Sequence, residues 1–202
     1  MPFDDFVRGL DGPLRGLSPE RYVFHKRFRY EVACNWKVYC DNYLEGYHVP
    51  HIHPGLNSLL DYRQYVTECG DWFSYQYSPL ESDPSLYGDG DALYYFIYPN
   101  TMLNLLPGRL QSNRVLPLGP ERCIVEFDYY YLDDDSDDAA SRKQADHDFA
   151  HQVQDEDIEI CEHVQRGLAS GSYVPGRLNP LRENAVFHFH ELLRAAYRSP
   201  AL

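Results

Sequence analysis

DFAHQVQDEDIEICEHVQRGL, residues Asp148–Leu168, carries Phe149, Val153, Ile160, Cys161, Val164 and Leu168 as one apolar stripe at helical spacing. At about 100° per residue, all but Phe149 lie within about 60° of Asp157 around the axis, and Phe149 lies about 80° away. Asp157 is therefore at the centre of the buried stripe. Asp155, Glu159, Glu162 and Arg166 fall on the opposite side and Glu156 on the flank, as solvent-facing side chains. The pattern predicts one long helix from about Ser141 to Leu168, closed by Gly167 and Gly171. Upstream, Trp72–Ser78, Ala92–Tyr98, Thr101–Leu106, Gln111–Pro117 and Arg122–Asp133 read as strands divided by Pro, Gly, Asn and Asp turns. Tyr22–Lys37 reads as a strand pair or one long bent strand, and Val186–Tyr197 as a last helix. The order implies an α+β fold: a curved antiparallel sheet with a long C-terminal helix packed against it.

The remaining segments and the composition set the limits. Residues 1–20 are Pro/Gly-punctuated and read as a lead-in; residues 21–202 read as a single domain. The run DDDSDD, Asp133–Asp138, reads as a solvated loop. A formal charge of −13 argues against nucleic acid and anionic membrane as partners, leaving small molecules and proteins. The five cysteines form no C-x-x-C and no dense framework, which suits a reducing cytoplasm. No apolar run approaches the roughly 20 residues of a membrane span, and MPFDDF is not a signal-peptide start.

The chemistry concentrates in NWKVYCDNYLEGYHVPHIHPGL, Asn35–Leu56, where Asn42, Glu45, His48 and His53 stand among aromatic and aliphatic residues. Such polar groups are costly to bury unless they share a partner, and a metal ion is one. A helix over Val38–Tyr47, entered near Asn35, puts Asn42, Glu45 and His48 at i, i+3 and i+6, each step about 60° around the axis. His53 reaches the same ion only if the helix breaks after His48, and Pro50 supplies that break. Asp41 and Glu45 are candidates to accept the second ring N–H of a ligating histidine. The plainer reading makes these ordinary half-buried histidines and pairs Asp157 with Arg109, Arg114 or Arg177. Two histidines and one carboxylate, His48, His53 and Asp157, instead make the facial triad of non-haem Fe(II) oxygenases. A zinc site of His48, His51 and His53 is the competing metal reading; it leaves Asp157 unexplained.

Four segments carry a family resemblance: NWK with D-N-x-x-E-x-Y-H-x-x-x-x-H (Asp41–His53), YPNTMLN (Tyr98–Asn104), E-D-I-x-I-C-E-x-V-Q-R-G-L (Glu156–Leu168) and FHFHELL (Phe187–Leu193). Together they resemble the catalytic domain of the α subunit of Rieske-type non-haem iron, or ring-hydroxylating, oxygenases. The resemblance implies a helix-grip fold related to START-like domains. It makes His48, His53 and Asp157 the Fe(II) ligands, Glu45 the carboxylate that bridges to a neighbouring subunit's Rieske cluster, and Asn42 a pocket amide. It also implies O2 activation for hydroxylation or oxidative demethylation of a small organic substrate, a quaternary amine or an aromatic acid. For the former, Tyr94, Tyr95, Phe96 and Tyr98 are candidates for a cation–π wall, or else alternating core residues of the sheet. The family's cluster pair, C-x-H with C-x-x-H, does not occur, so no [2Fe–2S] cluster is expected in this chain. Electrons would come from a separate Rieske or ferredoxin-type donor, and a homotrimer is the assembly implied. The alternatives from other classes are a non-catalytic START-like ligand-binding module and a structural subunit of an oxygenase.

Overall fold

A computed structural model describes all residues except 1, 7, 10–13, 15–17, 81–85, 89, 134–135 and 200–202. Of the lead-in, residues 1, 7, 10–13 and 15–17 lie outside that set; its described part forms the short helix α1, Phe3–Phe6, and the start of a 3-10 turn, Pro19–Arg21. Seven strands follow: β1 (Tyr22–Val32), β2 (Val66–Cys69), β3 (Phe73–Pro79), β4 (Asp91–Ile97), β5 (Thr101–Leu106), β6 (Arg109–Gly119) and β7 (Arg122–Leu132). They form one sheet in the order β1-β7-β6-β5-β4-β3-β2, antiparallel throughout. In the meander β2 to β7 four of the five connections are two or three residues long and the one between β3 and β4 is eleven, and β1 closes the far edge against β7. Tyr22–Lys37 is thus neither a strand pair nor wholly strand: it is one strand, bulged between Phe24 and Lys26, that ends at Val32. β2 was not anticipated, because VTEC is short and its side chains are half-buried to exposed.

Alternation assigns the two faces. In β7, Cys123, Val125, Phe127, Tyr129 and Tyr131 point to the helices and are buried. Glu126 and Asp128 point to the other face, where Arg29 and Arg114 hold Glu126 and Arg27 holds Asp128. The helical layer comprises α2 (Trp36–Tyr43), the short turns α3 (Val49–Ile52) and α4 (Pro54–Asn57), α5 (Ala139–Ala169) and α6 (Asn184–Arg198). Fully buried side chains from both layers, such as Val32, Cys40, Leu44, Met102, Val115 and Phe189, make the main core. Each such burial contributes about 1.5–3 kcal/mol for the larger aliphatic and aromatic side chains.

α5 spans 31 residues, about 46 Å, longer than the sheet it packs on. Its far end runs past the core, which is why Val164 and Leu168, expected in the buried stripe, are 46% and 38% exposed. Its buried residues are Ala139, Asp146, His147, Gln154 and Cys161, with Ala150 and Ile158 packed against the core, so polar and apolar groups share that face. Two further expectations are corrected. The helix placed at Val38–Tyr47 runs from Trp36 to Tyr43, with the Asn35 side chain accepting from Lys37 N, an N-cap that contributes about 1 kcal/mol. Glu45 lies after its end, so the helical i, i+3, i+6 arrangement is not what aligns Asn42, Glu45 and His48. Pro50 does not break a helix either; it opens α3, where a missing N–H costs nothing. No helix among the described residues is long and apolar enough to cross a membrane.

Candidate metal centre

The chain leaves α2 at Leu44, and Gly46 permits the turn that follows. A Cβ there would lie 2.6 Å from the Tyr65 ring. The turn delivers Glu45 and His48 to the end of a cavity between helices and sheet, and His53, capping α3, faces the same point. Asp157 arrives from α5. One ligand atom from each of His48, His53 and Asp157 lies within 4.8 Å of the others. His53 Nε2 is 3.0 Å, and His48 Nε2 3.9 Å, from Asp157 Oδ1. Among the described residues no other group of three or more such side chains converges in this way.

Each imidazole is oriented from behind. His48 Nδ1 lies 2.5 Å from Glu45 Oε1, while Glu45 Oε2 accepts from the His48 backbone N–H at 3.2 Å. His53 Nδ1 lies 2.7 Å from Glu156 Oε2. A carboxylate on Nδ1 holds that nitrogen protonated and leaves the Nε2 lone pair for a metal. Asn42 Nδ2 donates to Asp157 Oδ1 at 2.6 Å. Burial opposes a charge on His53, but the Asp157 and Glu156 carboxylates outweigh it and raise its pKa above the ordinary histidine value. That is the response of a ring surrounded by anions which a cation would neutralise. Two imidazoles, one carboxylate and two carboxylates behind them suit Fe(II) in ligand type and number.

Several expectations change. Glu156, expected toward solvent, turns under His53; a helix wheel has no knowledge of where the α3 loop sits. Asp41, a candidate behind a ligating ring, instead meets His190 Nε2 of α6 at 2.9 Å. His51 is exposed, which removes the three-histidine zinc arrangement. The arginines offered as partners of Asp157 are also elsewhere: Arg109 pairs with Asp146, Arg114 with Glu126, and Arg177 lies on an exposed stretch. Tyr94, Tyr95, Phe96 and Tyr98 do not form one wall. Tyr94 lines the cavity, whereas Tyr95 packs with Phe73 and Tyr75 on the opposite face and Phe96 and Tyr98 meet Phe189 in the core.

The cavity measures about 130 Å³. Its rings come from Tyr39, Tyr43, Tyr65, Tyr87 and Tyr94, with Phe127 and Phe149. Residues that the sequence reading passed over complete it. Tyr39, fully buried, donates to Gln154 Oε1 at 2.6 Å, and burial beside Asp157 drives its phenol pKa well above the usual value. Gln76, Asn104, Gln111 and Asn113 line the sheet side. The available signal was a carboxamide at alternate positions of one strand, Gln111 and Asn113 in RLQSNRV.

The family described as ring hydroxylating alpha subunit (catalytic domain) matches residues 19–79 and 72–199. The chloroplastic choline monooxygenase of Arabidopsis thaliana is 43% identical over 190 residues, covering 92% of this chain and 43% of that protein. The carnitine monooxygenase oxygenase subunit of Escherichia coli K12 is 28% identical over 211 residues, covering 96% of this chain and 56% of that protein. The chain thus spans about half the length of these curated relatives. A solved quaternary ammonium Rieske monooxygenase superposes with a TM-score of 0.86 at 23% identity, over 98% of this chain and 57% of that one. Dicamba monooxygenase bound to 3,6-dichlorosalicylic acid superposes at 0.67 and 18% identity, over 89% and 61%. These likenesses establish the fold as that of an oxygenase catalytic domain.

Proposed function

The chain belongs to the ring-hydroxylating oxygenase α-subunit catalytic-domain family, and from that premise we propose that it is the Fe(II)-dependent, O2-activating domain of a monooxygenase acting on a small quaternary ammonium compound. One observation carries the reading: the donor atoms of His48, His53 and Asp157 converge within 4.8 Å at the end of an aromatic cavity. A START-like ligand-binding module has no use for that convergence. Iron bound there would supply the redox chemistry on dioxygen.

The protein's own groups have separate tasks. Glu45 and Glu156 keep the protons of His48 and His53 on Nδ1, and Asn42 holds Asp157 by its Oδ1. The rings exclude water and present π-faces to a methylated cation, while Glu45 and Asp157 make the cavity's metal end anionic. Glu45 is also the group placed to connect His48 with an electron donor. That donor is Rieske-type and lies outside these 202 residues. We further take residues 21–202 as one catalytic domain, the cytoplasm as its compartment, in keeping with five free cysteines, and a homotrimer as its assembly.

Anaerobic titration of the purified protein with Fe(II), alongside Asp157→Ala, tests the assignment. The wild type should bind one equivalent and the variant should bind far more weakly. Equal binding by the two proteins would remove Asp157, and with it the triad, from the metal site.

A further inference from the structure

Helices α2 and α5 are joined by two hydrogen-bonded rungs, one turn apart on each helix. Asn42 Nδ2 donates to Asp157 Oδ1 at 2.6 Å, and one turn earlier Tyr39 Oη donates to Gln154 Oε1 at 2.6 Å. The first rung holds a metal donor; the second has no assigned task. Side chains three apart on a helix are neighbours, so Gln154 stands beside Asp157 in the wall of the cavity. It is 1% exposed, and its Nε2 has no hydrogen-bond partner. A buried carboxamide N–H left unused is costly, and the cavity is where a bound molecule can meet it. Tyr39 keeps its proton for the rung, because burial beside Asp157 pushes its pKa well up. The Oε1 end of the carboxamide is thereby taken, and the Nε2 end is left to the ligand.

A second lining residue has the same surplus. Arg109 is fixed by its Nη1, which donates to Asp146 at 2.5 Å and to Tyr87 Oη at 3.2 Å, and its guanidinium lies over the Tyr87 and Tyr129 rings at 5.3 and 5.7 Å. Its buried Nε has no partner. Asp146 balances the charge, so Arg109 acts here as a fixed N–H. Among the described residues, no buried acceptor atom of a residue lining the cavity is left in this state. The unused polar capacity of the cavity is donor capacity.

Resting on the quaternary ammonium reading above, we infer that Gln154 is a ligand-positioning residue whose Nε2 donates to an acceptor oxygen of the bound molecule, with Tyr39 holding the carboxamide in that orientation and Arg109 Nε as a second donor. The oxygen need only accept, so an ether serves as well as a hydroxyl. Because Gln154 is one turn from Asp157, the contact fixes how the molecule lies relative to the metal donors.

Isothermal titration of the purified protein with three trimethylammonium probes of equal arm length tests this: (2-methoxyethyl)trimethylammonium, whose oxygen only accepts, (3-hydroxypropyl)trimethylammonium, whose oxygen accepts and donates, and n-butyltrimethylammonium, which has no oxygen. The methoxy and hydroxy probes should bind alike, each tighter than the butyl probe by about two- to tenfold, the range of a hydrogen bond. In Gln154→Leu, checked for its fold by circular dichroism, that advantage should disappear, whereas general damage to the site would weaken all three probes together. Tyr39→Phe, which leaves Gln154 in place but frees its carboxamide, should narrow the same gap. A wild type that binds the butyl probe as tightly as the other two overturns the inference, whether or not the variants fold. A preference for the hydroxy probe alone also overturns it, since the wall would then be accepting. So does a folded Gln154→Leu that keeps the advantage, and an undiminished gap in Tyr39→Phe removes Tyr39 from the arrangement. If none of the three probes binds, the quaternary ammonium reading itself fails and takes this role of Gln154 with it.

Discussion

Glu156 lies behind His53, with Oε2 2.7 Å from Nδ1, although 103 residues separate them. It reproduces on one ring what Glu45 does on the other, three residues from His48. Both imidazoles are thereby held in one tautomer, and the adjacent residues Glu156 and Asp157 divide the work between the back of the site and its front.

Glu156→Leu should weaken Fe(II) binding by about 10–100-fold, the usual cost of losing the acceptor behind a ligating histidine. Glu156→Gln, which keeps an acceptor oxygen, should retain most of the affinity. Anaerobic Fe(II) titration reads both, and an unchanged affinity in Glu156→Leu would show that the contact does not orient His53.

The buried Arg109–Asp146 pair predicts an asymmetry in stability. Asp146→Ala leaves a guanidinium buried and unpaired, with an expected loss of about 3–5 kcal/mol. Arg109→Met/Asp146→Leu should recover most of this in urea unfolding. A double variant as unstable as the single would mean that the cost arises from packing rather than from the stranded charge.

His147 is buried against Phe28, Tyr129 and Tyr131. Burial, against the pull of Asp146, lowers its pKa from 6.5 to about 4. The unfolded chain therefore takes up this proton first, and the contribution of a neutral His147 is lost as pH falls from 6.5 to about 4, with no further change below. Urea midpoints of the wild type should decline through that window, and those of His147→Phe should decline less. Parallel declines in both proteins would assign the effect to other groups.

Gly46→Ala places a methyl 2.6 Å from the Tyr65 ring. Displacing the ring disturbs the Tyr65–Gln76 hydrogen bond and the turn that carries Glu45 and His48. The expected destabilisation is about 1–3 kcal/mol, with weaker Fe(II) binding. A melting temperature and iron affinity equal to the wild type would mean that Tyr65 has room to move.

Much of the molecule is legible along the chain where one element suffices to read it. The runs between turn residues were legible as strands, the stripe of α5 met the core at Cys161, and Asp157 stood out because an ionisable group occupied the centre of that stripe. Period alone could not tell that the last turns of α5 project past the sheet, so Val164 and Leu168 were misplaced. The Val38–Tyr47 helix was drawn past its end at Tyr43; the chain then passes Gly46, which the Tyr65 ring approaches closely, a contact between distant segments.

The amino-acid sequence by itself determined the α+β order, the identities of His48, His53 and Asp157 as candidates, and their kinship to a family, since each rests on local period or on a short motif. Only the tertiary structure decided that Glu156 turns inward, that Asp41 belongs to His190, and that Asn104, Gln111 and Asn113 share one floor. These depend on strand register and on where a loop meets a helix. A polar side chain has the same sequence signature whether it meets water, a partner or a cavity; its burial among other elements settles which.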